Sequence, residues 1–226
     1  MTRFVDLSHG LHEGMPVYPG QPVPRIGVLL SHEESAERGT YAPGTTFQMA
    51  TYELSGNTGT YVDSPYHRHP GGADLAGLAL EKLADLPGVV FAALQEGEIK
   101  PEAFEGVGIK GKAVLIRTDW SKRWGGDYFR SGPYLGAAAC NALIEGGVAL
   151  VGIDCANIDN MGDPISGTRG DLTRPAHTML LAAGIPIVEH LRGLDELPAA
   201  GFRFFAVPPA IVGGTSFAVR AFAILD

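Results

Sequence analysis

The stretch Gly56-Asn57-Thr58-Gly59-Thr60-Tyr61-Val62-Asp63-Ser64-Pro65-Tyr66-His67-Arg68-His69 decides how this chain is read. Just ahead of it, Phe47, Met49, Thr51 and Glu53 alternate with Gln48, Ala50, Tyr52 and Leu54, a two-residue period rich in β-formers that predicts a strand. If extended backbone continues into the stretch, side chains 57, 59, 61 and 63 share one face. Asp63 and His67 then converge on a metal or a water, and Gly59 lets a ligand or another backbone approach closely. The competing reading of the same residues is a polar turn, with Asp63 as a cap before Pro65 and His67 and His69 on the surface.

Outward from this stretch, short apolar runs bounded by Gly or Pro predict strands buried on both faces. They are Val89-Val90-Phe91-Ala92-Ala93-Leu94, Ala113-Val114-Leu115-Ile116-Arg117-Thr118, Leu150-Val151-Gly152-Ile153 and Ile185-Pro186-Ile187-Val188-Glu189. A helix is expected from Gly136 to the glycine pair at Gly146. Another is expected to open at Thr173-Arg174-Pro175, with Thr173 as its cap and His177 in its first turn. A last alternation runs from Ser216 to Leu225. The sum is a mixed α/β chain with more strand than helix. Gly106 to Gly111 is the one stretch that suggests a subdomain edge.

Composition narrows the class. With 226 residues, 45% hydrophobic and 19% charged, the chain suits one domain over residues 1–226 and is not disordered. Gly 31 and Pro 16 make up about a fifth of it, so many tight turns join short elements and a helical bundle is excluded. A net charge of −8, without a basic run, disfavours nucleic acid and membrane surfaces as partners. Cys140 and Cys155 form neither a disulfide framework nor a thiolate zinc site. Together with an N-terminus lacking an apolar leader, they predict a cytoplasmic protein.

Residues 57 to 67 keep the frame His-x-Gly-Thr-His-x-Asp-x-Pro-x-His, with Gly59, Thr60, Asp63, Pro65 and His67 matching. In this the chain resembles the cyclase family, which includes bacterial kynurenine formamidases and isatin hydrolase. Further matching stretches are Asp6-Leu7-Ser8, Gly14-Met15-Pro16-Val17-Tyr18-Pro19-Gly20, Leu115-Ile116-Arg117-Thr118-Asp119-Trp120 and Gly152-Ile153-Asp154, with His177 and Glu189 at the family's spacing. The resemblance implies a single-domain swivelling β/β/α fold, with a mixed β-sheet core and flanking helices, assembled as a homodimer or homotetramer. It also implies one or two divalent metals held by the signature histidines and aspartate, the later His and Glu completing the two-metal version.

Two departures qualify what is carried over, because Asn57 and Tyr61 stand where the family has histidines. An amide oxygen is a hard neutral ligand and a neutral phenol a poor one, so one metal subsite is expected to be dismantled. Asp63, His177 and Glu189 remain as ligands for a single Mn or Zn ion. His67 matches the family's acid/base histidine, a role that suits an imidazole at neutral pH. Tyr61 is a candidate hydrogen-bond donor to an oxyanion. Tyr18 corresponds to a pocket-lining aromatic, and Asn57 and Trp120 are further candidate substrate contacts, Trp120 within a segment of aromatic and cationic residues. His69 is a spare ligand on the extended reading, whereas Cys155 is expected to be an inert buried thiol.

The function expected is metal-dependent hydrolysis of a small amide, formamide, cyclic amide or lactone, arylformamidase-like. The alternatives are a metal-free relative doing proton-transfer chemistry or ligand binding in an Asn/Tyr-altered pocket, and a catalytically dead oligomeric partner.

Overall fold

Turn-punctuated sequence gives short elements. In a computed structural model that describes residues 2–225, the first half supplies β1 (Arg3–Asp6), β2 (Arg25–Leu30), α1 (His32–Glu37), β3 (Met49–Glu53), β4 (Tyr61–Asp63) and β5 (Leu86–Ala92). Next come β6 (Glu98–Ile99), β7 (Ala113–Arg117), β8 (Tyr134–Leu135), α2 (Ala137–Glu145), β9 (Leu150–Ile153), β10 (Gly162–Asp163) and β11 (Thr168–Arg169). The chain ends with α3 (Pro175–Ala182), β12 (Ile187–Glu189), β13 (Ala200–Phe205), β14 (Ser216–Ala218) and β15 (Phe222–Leu225).

The four apolar runs become β5, β7, β9 and β12, parallel neighbours in the middle of a nine-stranded sheet ordered β1-β15-β13-β5-β7-β9-β12-β4-β14. Their flanks pair antiparallel, so the sheet is mixed. Both faces are covered, which is why β7 and β9 read as unbroken apolar sequence. On one face Leu143 of α2 and Leu180 of α3 pack with Val114, Ile116, Val151 and Ile153. On the other, Leu7, Leu115, Leu150, Phe202 and Phe204 form a second core layer.

One expectation is corrected at the C-terminus. The alternating run from Ser216 to Leu225 is two strands, β14 on one edge of the sheet and β15 next to the other edge. Residues 219–221 cross between them and tie the two ends together, since Val219 N–H donates to Thr60 O at 2.9 Å and Leu7 N–H to Ala221 O at 2.9 Å. The sheet is therefore curled. Gly106 to Gly111 is a connection into β7, held by Gly111 N–H on Gly147 O at 2.8 Å, rather than a subdomain edge.

The predicted strand at 47–54 forms as β3, but it pairs only with β2, in a two-stranded ribbon apart from the main sheet. No helix among the described residues is long and apolar enough to cross a membrane.

Candidate active site

Parallel strands leave a crevice at their carboxyl ends, the usual place for a ligand in an open α/β sheet. Here β12 ends at Glu189, β9 leads to Asp154 and on to Asp159, and antiparallel β4 lies against β12. In this register Tyr61 faces Glu189 directly across the ladder, with Asp63 two residues along on the same side. Tyr61, Asp63 and Glu189 are all buried.

The extended reading thus holds for Tyr61 and Asp63 and then fails, with a physical reason. Pro65 has a fixed φ and no N–H, and it starts a 3-10 turn over Pro65–His67, closed by His67 N–H on Ser64 O at 2.9 Å. The turn swings His67 back over the strand, its Nδ1 3.6 Å from Asp63 Oδ1. It carries His69 away, where Nε2 lies 2.9 Å from Thr178 O, so His69 is no spare ligand. On the other flank, Gly59 at φ +67° turns the chain in the left-handed region, where a Cβ would come within 2.7 Å of Leu11.

His177 arrives from α3. Asp159, from the loop after β9, accepts from the N–H groups of Ala176 and His177 at 2.7 and 3.2 Å, and its Oδ2 lies 2.6 Å from His177 Nδ1. This acid, and not Thr173, closes the start of α3. Thr173 N–H is engaged by Asp171 at 2.8 Å, and Arg174 occupies the cap position in left-handed backbone. With Nδ1 on Asp159, the other ring nitrogen turns inward, to 3.6 Å from Asp63 Oδ2 and 3.9 Å from Glu189 Oε2. Carboxylate behind, imidazole in front is how metal-binding histidines are oriented.

The two departures from the signature have definite work. Tyr61 OH donates to Glu189 Oε2, and Ile158 N–H donates to Oε1 at 2.6 Å, so both oxygens of Glu189 are engaged. Asn57 Nδ2 reaches Asp63 Oδ1 at 3.4 Å while Asn57 Oδ1 accepts from Ser216 Oγ at 3.0 Å. Asp63 Oδ2 is left buried with no hydrogen-bond partner. Its nearest positive group is the His177 ring, with Nε2 3.6 Å away, and a buried carboxylate oxygen without a hydrogen bond calls for that ring, a water or a bound cation. Ligand atoms of Asp63, His67 and His177 all lie within 4.8 Å of one another, which one ion can span. The donor set fits a single divalent cation.

Electrostatics follow from this crowding. Burial works against a charge on His177, but Glu189, Asp159 and Asp63 outweigh it and raise the imidazole to about 9. Burial pushes Glu189 up, with His177 opposing. His67 is lowered, chiefly by burial, and Asp63 offsets part of the effect. Burial and two neighbouring carboxylates carry Tyr61 well above the ordinary phenol, so it stays a donor.

These groups line a cavity of about 140 Å³, which Tyr18, Asn57, Tyr61, His67, His177 and Glu189 share with Gln21, Asn157, Met161, Arg174 and His190. Trp120 does not join it: its ring is buried in the core, with Nε1 on Tyr128 O at 2.8 Å and the Arg123 guanidinium 4.0 Å above. Cys155 is buried, and burial holds its thiol far above the ordinary range. Sequence reasoning missed Asp159, Arg174, Gln21 and His190. Asp159 stands eighteen residues before the histidine it orients, and no local pattern marks such a pair.

Fold and cluster together define an α/β protein whose crevice suits a cation and a small polar ligand. The chain belongs to the cyclase family: the family model described as putative cyclase matches residues 5–160. It is 28% identical over 219 residues to a kynurenine formamidase of Salinibacter ruber, covering 96% of this chain and 95% of that one. Among solved structures, it resembles isatin hydrolase A from Labrenzia aggregata, bound there to benzyl benzoate, with TM-score 0.81 and 27% identity over 99% of this chain and 94% of the other. A potential metal-dependent hydrolase with cyclase activity shares the fold, with TM-score 0.79 and 23% identity over 100% and 99% of the two chains. The α/β fold with a mixed sheet core, expected from the resemblance, is that of these structures.

Proposed function

We propose that the chain is a hydrolase of the C–N bond in a small amide, formamide or cyclic amide, with lactones as a related class, and that it works with one divalent cation, Mn or Zn. The observation that carries this reading is the buried Asp63 Oδ2, without a hydrogen bond and 3.6 Å from Nε2 of His177, which lines the cavity. Asp63 and His177 hold the cation, which when bound acidifies water and polarises a carbonyl. His67, a quarter exposed where Asp63 and His177 are buried, handles the proton at its ring nitrogens, taking it from water and returning it to the leaving nitrogen. Asp159 fixes the His177 ring. Tyr61 holds Glu189 back from the cation and is not free to donate to an oxyanion. The names of the relatives support the reaction class.

A second reading gives His67 to the cation as third ligand, favoured by its position within 4.8 Å of the other two. Metal content of His67→Ala separates the two: retained metal with lost turnover assigns the proton, lost metal assigns the ligand.

The test is elemental mass spectrometry on tag-free protein beside Asp63→Ala, with a screen of aryl formamides, cyclic amides and lactones. About one Mn or Zn per chain, lost in the variant, is expected. No metal after incubation with excess Mn²⁺ or Zn²⁺ sinks the mechanism and leaves the metal-free and inactive alternatives. We further propose that the protein acts in the cytoplasm on a small molecule as a homodimer or homotetramer. The β2–β3 ribbon supports assembly, because a hairpin off the main sheet is marginal alone and this one exposes Ile26, Val28, Leu29, Met49 and Tyr52.

A further inference from the structure

Three residues of the cavity wall, Gln21, Arg174 and His190, each carry a buried polar atom without a hydrogen bond. Proteins rarely leave such atoms unpaired except where a ligand or water completes them. Arg174 is the most telling. It sits at φ 49° and ψ 64°, left-handed backbone that a β-carbon disfavours, directly before Pro175. That strain persists at the cavity and lays the guanidinium on its wall. Nη2 is 3.3 Å from Asn157 Oδ1 and 3.2 and 3.4 Å from the two ring nitrogens of His177. Nε lies 3.5 Å from Asp159 Oδ2 yet makes no hydrogen bond. Asp159 is already engaged by two N–H groups and the His177 ring, so Arg174 is not needed to satisfy it.

We propose that Arg174 is a specificity determinant that binds a carboxylate on the substrate, so that the preferred substrate is an anionic amide on a small body of about one ring. This rests on the hydrolase reading for the word substrate, but not for the binding itself. A guanidinium stays charged and offers paired donors matched to a carboxylate. A cavity of about 140 Å³ compares with the roughly 150 Å³ that takes a benzene. Gln21 Oε1, an unpartnered acceptor on the same wall, suits an N–H of the same ligand.

The test uses benzoate and its neutral isostere benzamide as probes, titrated calorimetrically into wild type, Arg174→Met and Arg174→Lys, with metal content and melting temperature recorded for each. Wild type is expected to prefer benzoate. Arg174→Met should weaken benzoate by roughly 10- to 100-fold and leave benzamide unchanged, with Arg174→Lys recovering part of the loss. Benzoate affinity unchanged in Arg174→Met, as when a metal alone held the carboxylate, overturns the proposal. If Arg174→Met does not fold, equal benzoate and benzamide affinities in wild type overturn it instead. The activity arm compares 2-formamidobenzoate with formanilide. Turnover of neither, with Arg174-dependent benzoate binding intact, would refute the hydrolase reading while leaving the anion site standing.

Discussion

Tyr61→Phe isolates one hydroxyl at the centre of the site. In the wild type that hydroxyl donates to Glu189 Oε2, and both residues are almost wholly buried at the cavity wall. Leaving a buried acceptor unpaired costs about 1–3 kcal/mol. In a chain of this size each kcal/mol shifts Tm by roughly 2–4 °C, so a fall of about 2–12 °C is expected. The phenyl ring keeps the packing, so the loss belongs to the hydrogen bond. Removing the donor also frees Glu189 Oε2, 3.9 Å from His177 Nε2, to meet a cation. Mn²⁺ should therefore recover most of the lost stability, giving a larger metal-induced rise in Tm for the variant than for wild type. The assay is scanning calorimetry of both proteins in EDTA and in excess Mn²⁺. Equal melting in EDTA, with equal metal-induced rises, would refute the view that Tyr61 competes with a cation for Glu189.

Other outcomes follow from the same geometry. Asp159→Asn should lower metal affinity by about 10–100-fold, because the ring of His177 loses the carboxylate that orients it, and competition with a chromophoric chelator reads this directly. Asp154 has its carboxyl raised to about 6 by burial, although Thr118 and Asp119 hydrogen-bond to it. The folded state therefore holds this proton where the unfolded chain has lost it, and Asp154 makes wild type lose stability as pH rises from about 4 to 6. Urea melts across that window should show a shallower slope in Asp154→Asn. Ile26→Lys with Tyr52→Lys, which face each other in the β2–β3 ribbon, should reduce the mass seen by light scattering to a single chain while leaving the melting transition cooperative.

The sheet core was legible because its strands are covered on both faces. Unbroken apolar runs between Gly and Pro leave few alternatives, and β5, β7, β9 and β12 fall on the four runs picked out for them. The C-terminal alternation misled because a two-residue period reports a strand but not which neighbour it joins. Phe217 and Phe222 belong to strands on opposite sides of the sheet, and only closure of the curl brings residues 219–221 between them. Extended backbone past Asp63 failed for a local reason: Pro65 makes the next residues a 3-10 turn, and that turn brings His67 over Asp63 while discarding His69. The start of α3 was misjudged because its cap comes from Asp159, a residue remote in sequence, while Arg174 takes a backbone conformation that propensity does not foresee.

Asn57 and Tyr61 carry the main lesson about the site. As letters they are missing histidines, and the natural conclusion is a lost metal subsite. In space they are two donors aimed at two buried carboxylates, Asn57 at Asp63 and Tyr61 at Glu189. A buried carboxylate pair needs compensation, whether from cations or from hydrogen bonds. With Tyr61 and Ile158 on Glu189, that carboxylate is satisfied within the chain. Asn57 reaches only one oxygen of Asp63, and at a long 3.4 Å, so the other oxygen still calls for a partner. The replacement is thus unequal: hydrogen bonds supplant a ligand role at Glu189 and leave one open at Asp63. That asymmetry is what the one-cation proposal rests on: an open oxygen of Asp63 beside the His177 ring that Asp159 already holds in line.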